Sequence, residues 1–155
     1  MVDKRKFKDI NVSLLGLGTM RLPCETEQKR ESNRNIDYDK AQSLVDLAYK
    51  NGVNYFDTAY MYHCGKSEAF IGYALNKYPR DTYFIADKLP IWLCDTKEDM
   101  KRVFEKQLER TGMDYFDFYL LHSLDNENFE KCEKFYAYDF LKKMQKAVSY
   151  THLTL

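Results

Sequence analysis

Hydrophobic positions along the chain follow two alternating patterns. Short apolar or aromatic runs occupy residues 13–17, 53–56, 83–86 and 116–121, each the length of a β-strand. Between them, apolar residues recur at helical spacing. Ala41, Leu44, Val45, Leu47 and Ala48 share one face, after a candidate N-cap at Asp37 or Asp39 and before a stop at Asn51-Gly52. Ser67 is placed to cap a short helix carrying Phe70, Ile71 and Leu75, which cannot run past Pro79. Thr96 with Asp99 makes an approximate capping box for a helix that turns Met100, Val103, Phe104 and Leu108 inward and ends at Thr111-Gly112. A fourth helical stretch covers residues 129–146.

The resulting order is β-α-β-α-β-α-β-α, at roughly thirty residues per unit, the length of a βαβ crossover. Runs such as Phe116-Asp117-Phe118-Tyr119-Leu120-Leu121 are apolar on both faces in most places, as parallel strands covered by helices must be. Two α/β architectures fit: a doubly wound open sheet, or part of a (β/α)₈ barrel. Residues 24–35 are polar and charged and are expected to form a loop.

Composition narrows the function classes. The 24 basic and 24 acidic side chains balance to a net charge of +0, which argues against a nucleic-acid partner that needs clustered cations. No apolar run approaches the roughly 18 residues of a membrane helix, and the start, Met-Val-Asp-Lys-Arg-Lys-Phe-Lys-Asp, is not a secretory signal. Cys24, Cys64, Cys94 and Cys132 contain no C-x-x-C pair, so no metal site is expected, and reduced thiols in a cytoplasmic protein are.

Gly16-Leu17-Gly18-Thr19-Met20-Arg21 invites a dinucleotide-fingerprint reading, but Arg21 stands at the third glycine and Leu22-Pro23 follows where a helix should open. Without that helix N-terminus there is no pyrophosphate site of the Rossmann kind. Position is the stronger signal. The second, third and fourth strands each run into an ionisable residue: Asp57, Lys88 and His122. In a parallel barrel those strand ends converge on the face where active sites sit. Singly, each has a plainer explanation: a cap, a solvated loop charge, an edge histidine. Together they are less easily dismissed. Tyr62, five residues past Asp57, can fold back over the same face, with Tyr60 a nearby competitor. Free tyrosine titrates near 10, and a neighbouring ammonium favours its phenolate. A buried lysine in turn needs an anion, which Asp57 supplies. Tyr62, Lys88 and Asp57 therefore form a coherent proton-donating relay, with His122 as a second hydrogen-bonder.

The sequence resembles the aldo-keto reductase superfamily. The matching stretches are Leu15-Gly16-Leu17-Gly18-Thr19-Met20-Arg21-Leu22-Pro23, Gly52-Val53-Asn54-Tyr55-Phe56-Asp57-Thr58-Ala59 with Tyr62, Ile85-Ala86-Asp87-Lys88, and Asp117-Phe118-Tyr119-Leu120-Leu121-His122. The resemblance implies a (β/α)₈ barrel that reduces a small carbonyl substrate with NADPH. The catalytic tetrad falls on Asp57, Tyr62, Lys88 and His122. Tyr62 would protonate the carbonyl oxygen, Lys88 and Asp57 would tune it, and His122 would orient the substrate. Nicotinamide-side contacts map to Gly18, Thr19, Met20 and Asp57, and Trp92 would line the substrate pocket. The phrasing is most like a bacterial and archaeal branch that often carries a ferredoxin-like iron–sulfur extension at its C-terminus. Any such cluster would lie in a part this chain does not contain.

Two departures stand out. The family commonly has glycine directly after the catalytic tyrosine, where this chain has His63. A full barrel takes about 250 residues, and this chain stops after its fourth βα unit. Residues 1–146 are accordingly expected to be the N-terminal half of such a barrel. Residues 148–153 resemble the translation of a transposon end used in sequencing libraries, so 147–155 are set apart as a read-through tail. Such a half-barrel is expected to be inactive alone and to self-associate. Two alternatives remain: a non-catalytic cofactor-binding subunit, and a Schiff-base barrel lyase using Lys88.

Overall fold

The computed structural model describes residues 1–25, 35–146 and 150–154, the last as backbone. It opens with an antiparallel hairpin, β1 (Lys4–Phe7) and β2 (Ile10–Ser13), turned at Lys8 in the left-handed region. Then come β3 (Leu17–Gly18), α1 (Tyr38–Lys50), β4 (Tyr55–Asp57), α2 (Lys66–Leu75), β5 (Phe84–Leu89), α3 (Lys97–Thr111) and β6 (Phe116–Leu121). α4 (Asn126–Phe135), α5 (Ala137–Lys146) and β7 (Tyr150–Thr154) complete the order.

The five strands β3-β4-β5-β6-β7 are parallel and lie side by side in chain order. A doubly wound sheet reverses direction part-way across, whereas a barrel adds each strand on the same side of the last. The monotonic order therefore selects the barrel architecture. β7 lies on the segment set apart as a tail. An open strand edge accepts any run of β-formers, so this pairing is neutral as to the segment's origin.

Side chains alternate across the strands, and the two faces differ. Phe56, Ile85, Leu89 and Tyr119 belong to the core against the helices, with Val45, Phe70, Ile71, Val103 and Phe104. On the other face the rings of Phe7, Tyr55 and Phe84 all meet Phe118. The hairpin sits at the amino ends of the strands, where Asn54 accepts from the Ser13 amide at 2.7 Å and donates to the Asn11 carbonyl at 2.9 Å.

Several local expectations hold. Asp37 caps α1 through the Lys40 amide, and the Thr96–Asp99 capping box opens α3, which Gly112 ends in the left-handed region. Others shift. The first strand forms at Leu17–Gly18, and Leu47 is exposed on α1. Ser67 does not cap α2: Gly65 holds that position, and Ser67 is buried inside the first turn. The fourth helical stretch breaks in two at Tyr136, whose φ of 56° no α-helix contains.

Candidate active site

Parallel register brings the carboxyl ends of the strands together. Gly18 pairs with Asp57, Asp57 with Ala86, and Lys88 with Leu120, two residues before His122. Alternation along β5 sends Lys88 to the inner face, where its ammonium makes three contacts. Nζ donates to Asp57 Oδ1 at 2.7 Å, to the Thr58 carbonyl at 2.7 Å and to the Tyr62 hydroxyl at 3.3 Å. Its Nζ also lies 4.9 Å from the Tyr62 ring centroid. The rings of Tyr62 and His122 meet edge to face with centroids 5.9 Å apart, and the Trp92 ring lies tilted to His122 at 5.0 Å. Asp57, Tyr62, Lys88 and His122 thus form one constellation, with Trp92 on its wall.

His122 is half-buried. Burial depresses its pKa below the usual 6.5, the Lys88 cation adds to the effect, and Asp57 opposes it. The ring is neutral at neutral pH, with one N–H to give and one nitrogen to accept. Its Nδ1 is buried without a hydrogen-bond partner among the described residues. Among the nearby tyrosines, Lys88 Nζ donates to Tyr62, and Tyr60 and Tyr55 are held differently. The Tyr60 ring carries the Arg110 guanidinium at 4.1 Å, and Tyr55 is pushed up to about 12 by burial and by the nearby Asp57 charge.

The remaining predicted contacts separate into two kinds. Gly18 and Met20 are exposed at the β3 end. A Cβ on Gly18 would stand 4.0 Å from Asp57 Oδ1, so bare backbone adjoins that carboxylate and leaves room for a flat ring. Thr19 is fully buried instead. Its hydroxyl donates to the Asp57 carbonyl at 2.9 Å and accepts from Ser67 Oγ at 2.6 Å, placing it behind Asp57 as a support.

His63, standing where the family commonly has glycine, adopts φ 50° and ψ 43°. That left-handed backbone costs a non-glycine residue roughly 1–2 kcal/mol. The chain offsets the cost through the side chain: Nε2 accepts from the Leu22 amide at 3.0 Å, and Nδ1 lies 3.8 Å from Cys24 Sγ. The turn that presents Tyr62 is therefore tied to the segment following β3.

The model of the Aldo/keto reductase family matches residues 14–149. The chain belongs to the aldo/keto reductase family. An aldo-keto reductase of Gibberella moniliformis is 30% identical over 153 residues, covering 94% of this chain and 44% of the relative. The NADH-specific methylglyoxal reductase of Escherichia coli is 30% identical over 131 residues, covering 74% and 39%. Among solved structures, the holo form of an aldo-keto reductase from Bacillus halodurans superposes with a TM-score of 0.71 at 26% identity, covering 99% of this chain and 49% of that one. This aldo/keto reductase chain thus spans less than half the length of the curated relatives it matches. Among its described residues, no helix is long and apolar enough to cross a membrane.

Removing the ammonium should be costly to the fold as well as to the site. Lys88→Met leaves the Asp57 carboxylate and the Thr58 carbonyl without their donor in a half-buried position. Hydrogen bonds to charged groups are worth about 1.5–3 kcal/mol, and a loss of that order is expected in urea unfolding. A midpoint equal to that of the unsubstituted chain would mean the three contacts are not held in solution.

Proposed function

We propose that the enzyme carrying this site reduces an aldehyde or ketone to the alcohol with NADPH, and that residues 1–146 form the first half of its barrel. One observation carries the reading: a single ammonium, Lys88 Nζ, joins the Asp57 carboxylate to the Tyr62 hydroxyl. The Tyr62 hydroxyl accepts from that ammonium, which leaves its own O–H to be given to a substrate carbonyl. Asp57 keeps that cation in place, and neutral His122 hydrogen-bonds the substrate oxygen from the opposite edge. Trp92 closes the pocket wall. Gly18, Met20 and Asp57 would hold the nicotinamide side of the cofactor, which supplies a hydride to the carbonyl carbon when bound. The proton from Tyr62 completes the O–H bond.

The lyase alternative fits less well. An ammonium that donates to Asp57, Thr58 and Tyr62 together has no lone pair to offer a carbonyl carbon. A binding-only subunit would have no need of the assembled relay.

Isotope transfer tests the proposal. With NADPH deuterated on the transferred position, the full-length enzyme containing residues 1–146 should place deuterium on the carbinol carbon of a small aldehyde. Oxidation of NADPH without deuterium in the alcohol, or carbonyl chemistry trapped by borohydride on Lys88, would overturn it. Parallel titration with NADH decides between the two nicotinamide cofactors.

A further inference from the structure

β5 alternates, so the residue before Lys88 faces the helices. Asp87 lies there fully buried, and Glu68 of α2, also fully buried, stands against it within reach of a hydrogen bond once one carboxyl carries a proton. Two carboxylates are acceptors only. Each has one oxygen satisfied: Asp87 Oδ1 accepts from the Lys88 amide at 2.8 Å, and Glu68 Oε2 from Arg110 at 3.0 Å. The other two oxygens, Asp87 Oδ2 and Glu68 Oε1, have no donor among the described residues. One added proton satisfies both.

We propose that Asp87 and Glu68 share a single proton between Oδ2 and Oε1, and that this bridge positions Lys88 and the Tyr62 turn relative to each other. The Lys88 peptide is gripped on both sides from the helix layer: Asp87 takes its amide, and Gln107 of α3 donates to its carbonyl at 3.0 Å. Gln107 is itself oriented by the Tyr119 hydroxyl of β6. Glu68 holds Arg110, and Arg110 lies under the Tyr60 ring and 3.5 Å from the Tyr60 carbonyl, two residues before Tyr62. The shared proton is the joint between these two arms. Without it, two like charges face each other in a buried site. Arg110 and Gln107 on the Glu68 side, and the Lys88 ammonium acting on Asp87 from the inner face, offset those charges only in part against the burial of both groups.

The consequence is a pH-dependent joint. Burial raises both carboxyls, Asp87 well above its ordinary 3.8 and Glu68 above 4.5; the Glu68 charge further opposes ionisation of Asp87, while Arg110, Gln107 and a hydrogen bond from Asp87 favour the ionised form of Glu68. A group raised on folding stabilises fully below its unfolded pKa and loses that contribution as pH rises through its folded pKa. Stability of the native chain should therefore fall with rising pH relative to Asp87→Asn, whose amide donates permanently to Glu68 and still accepts from Lys88.

The positioning role rests on the proposed reduction; the shared proton does not. The test therefore uses the 155-residue chain without cofactor or substrate. Infrared difference spectra should show one protonated carboxyl at neutral pH, lost in Asp87→Asn and retained in Tyr62→Phe. Absence of that band in the native chain, as two water-bridged carboxylates would give, overturns the proposal. The Lys88 ammonium resonance should then shift with the same pH midpoint at which the band disappears, and stay flat in Asp87→Asn. Should the band titrate while the ammonium resonance does not move, the pair is only structural and the positioning claim fails.

Discussion

Tyr62→Phe is expected to lower kcat of the full-length enzyme by about 10² or more while leaving KM nearly unchanged. The substitution deletes one oxygen, the one that lies 3.3 Å from Lys88 Nζ. Everything the ring does is kept: its edge-to-face contact with His122, and its place beside the ammonium. Substrate should therefore bind as before and meet no proton donor. Tyr60→Phe is the control, because the role of that side chain is the face it turns to Arg110. Steady-state kinetics on both variants, with circular dichroism to confirm folding, decide the matter. Full turnover in Tyr62→Phe would remove Tyr62 from the chemistry, and equal losses in both variants would point to a collapsed turn.

What the sequence made legible follows from what was local. Asp57, Lys88 and His122 announce themselves because each closes an apolar run, and strand ends converge whatever the details of packing. The capping box at Thr96 is likewise contained within four residues. The hairpin at the start was not legible. β1 is solvent-exposed throughout, so Lys4-Arg5-Lys6-Phe7 carries no alternation to detect. Ser67 looks like a cap because its usual competitor is solvent. In the fold it is buried against Thr19 and Thr58, partners from two other strand ends. The break at Tyr136 carries no glycine or proline to mark it. Asp87 is the instructive case. Read along the strand it is one more polar residue beside Lys88, and only its contact with Glu68 of a separate helix shows that a carboxyl is buried there. Its signal was available in the strand's own alternation, which puts Asp87 on the helix-covered face whenever Lys88 is on the other.

That helix layer depends on one glycine, and Gly72→Ala should unsettle it. A Cβ at Gly72 would fall 2.0 Å from the Thr111 carbonyl oxygen and 2.7 Å from its carbon, so α2 and α3 must part before alanine fits. Helix propensity favours alanine by about 1 kcal/mol, but both partners at the clash are backbone, with no flexible side chain to swing aside. Overpacking of this kind costs about 1–3 kcal/mol, occasionally more, and a net loss of stability is expected in urea unfolding. The local consequence reaches further than the clash. Glu68 lies one turn before Gly72, and Arg110 directly precedes Thr111, so the helix separation that glycine permits also sets the 3.0 Å contact between them. Parting the helices should lengthen that contact, loosen Arg110 from Tyr60, and so disturb the turn that presents Tyr62 without touching any of the four site residues. In a variant that still folds, the Lys88 ammonium resonance should broaden or shift. An alanine variant as stable as the native chain, with that resonance in place, would show that the two helices can separate without disturbing the site.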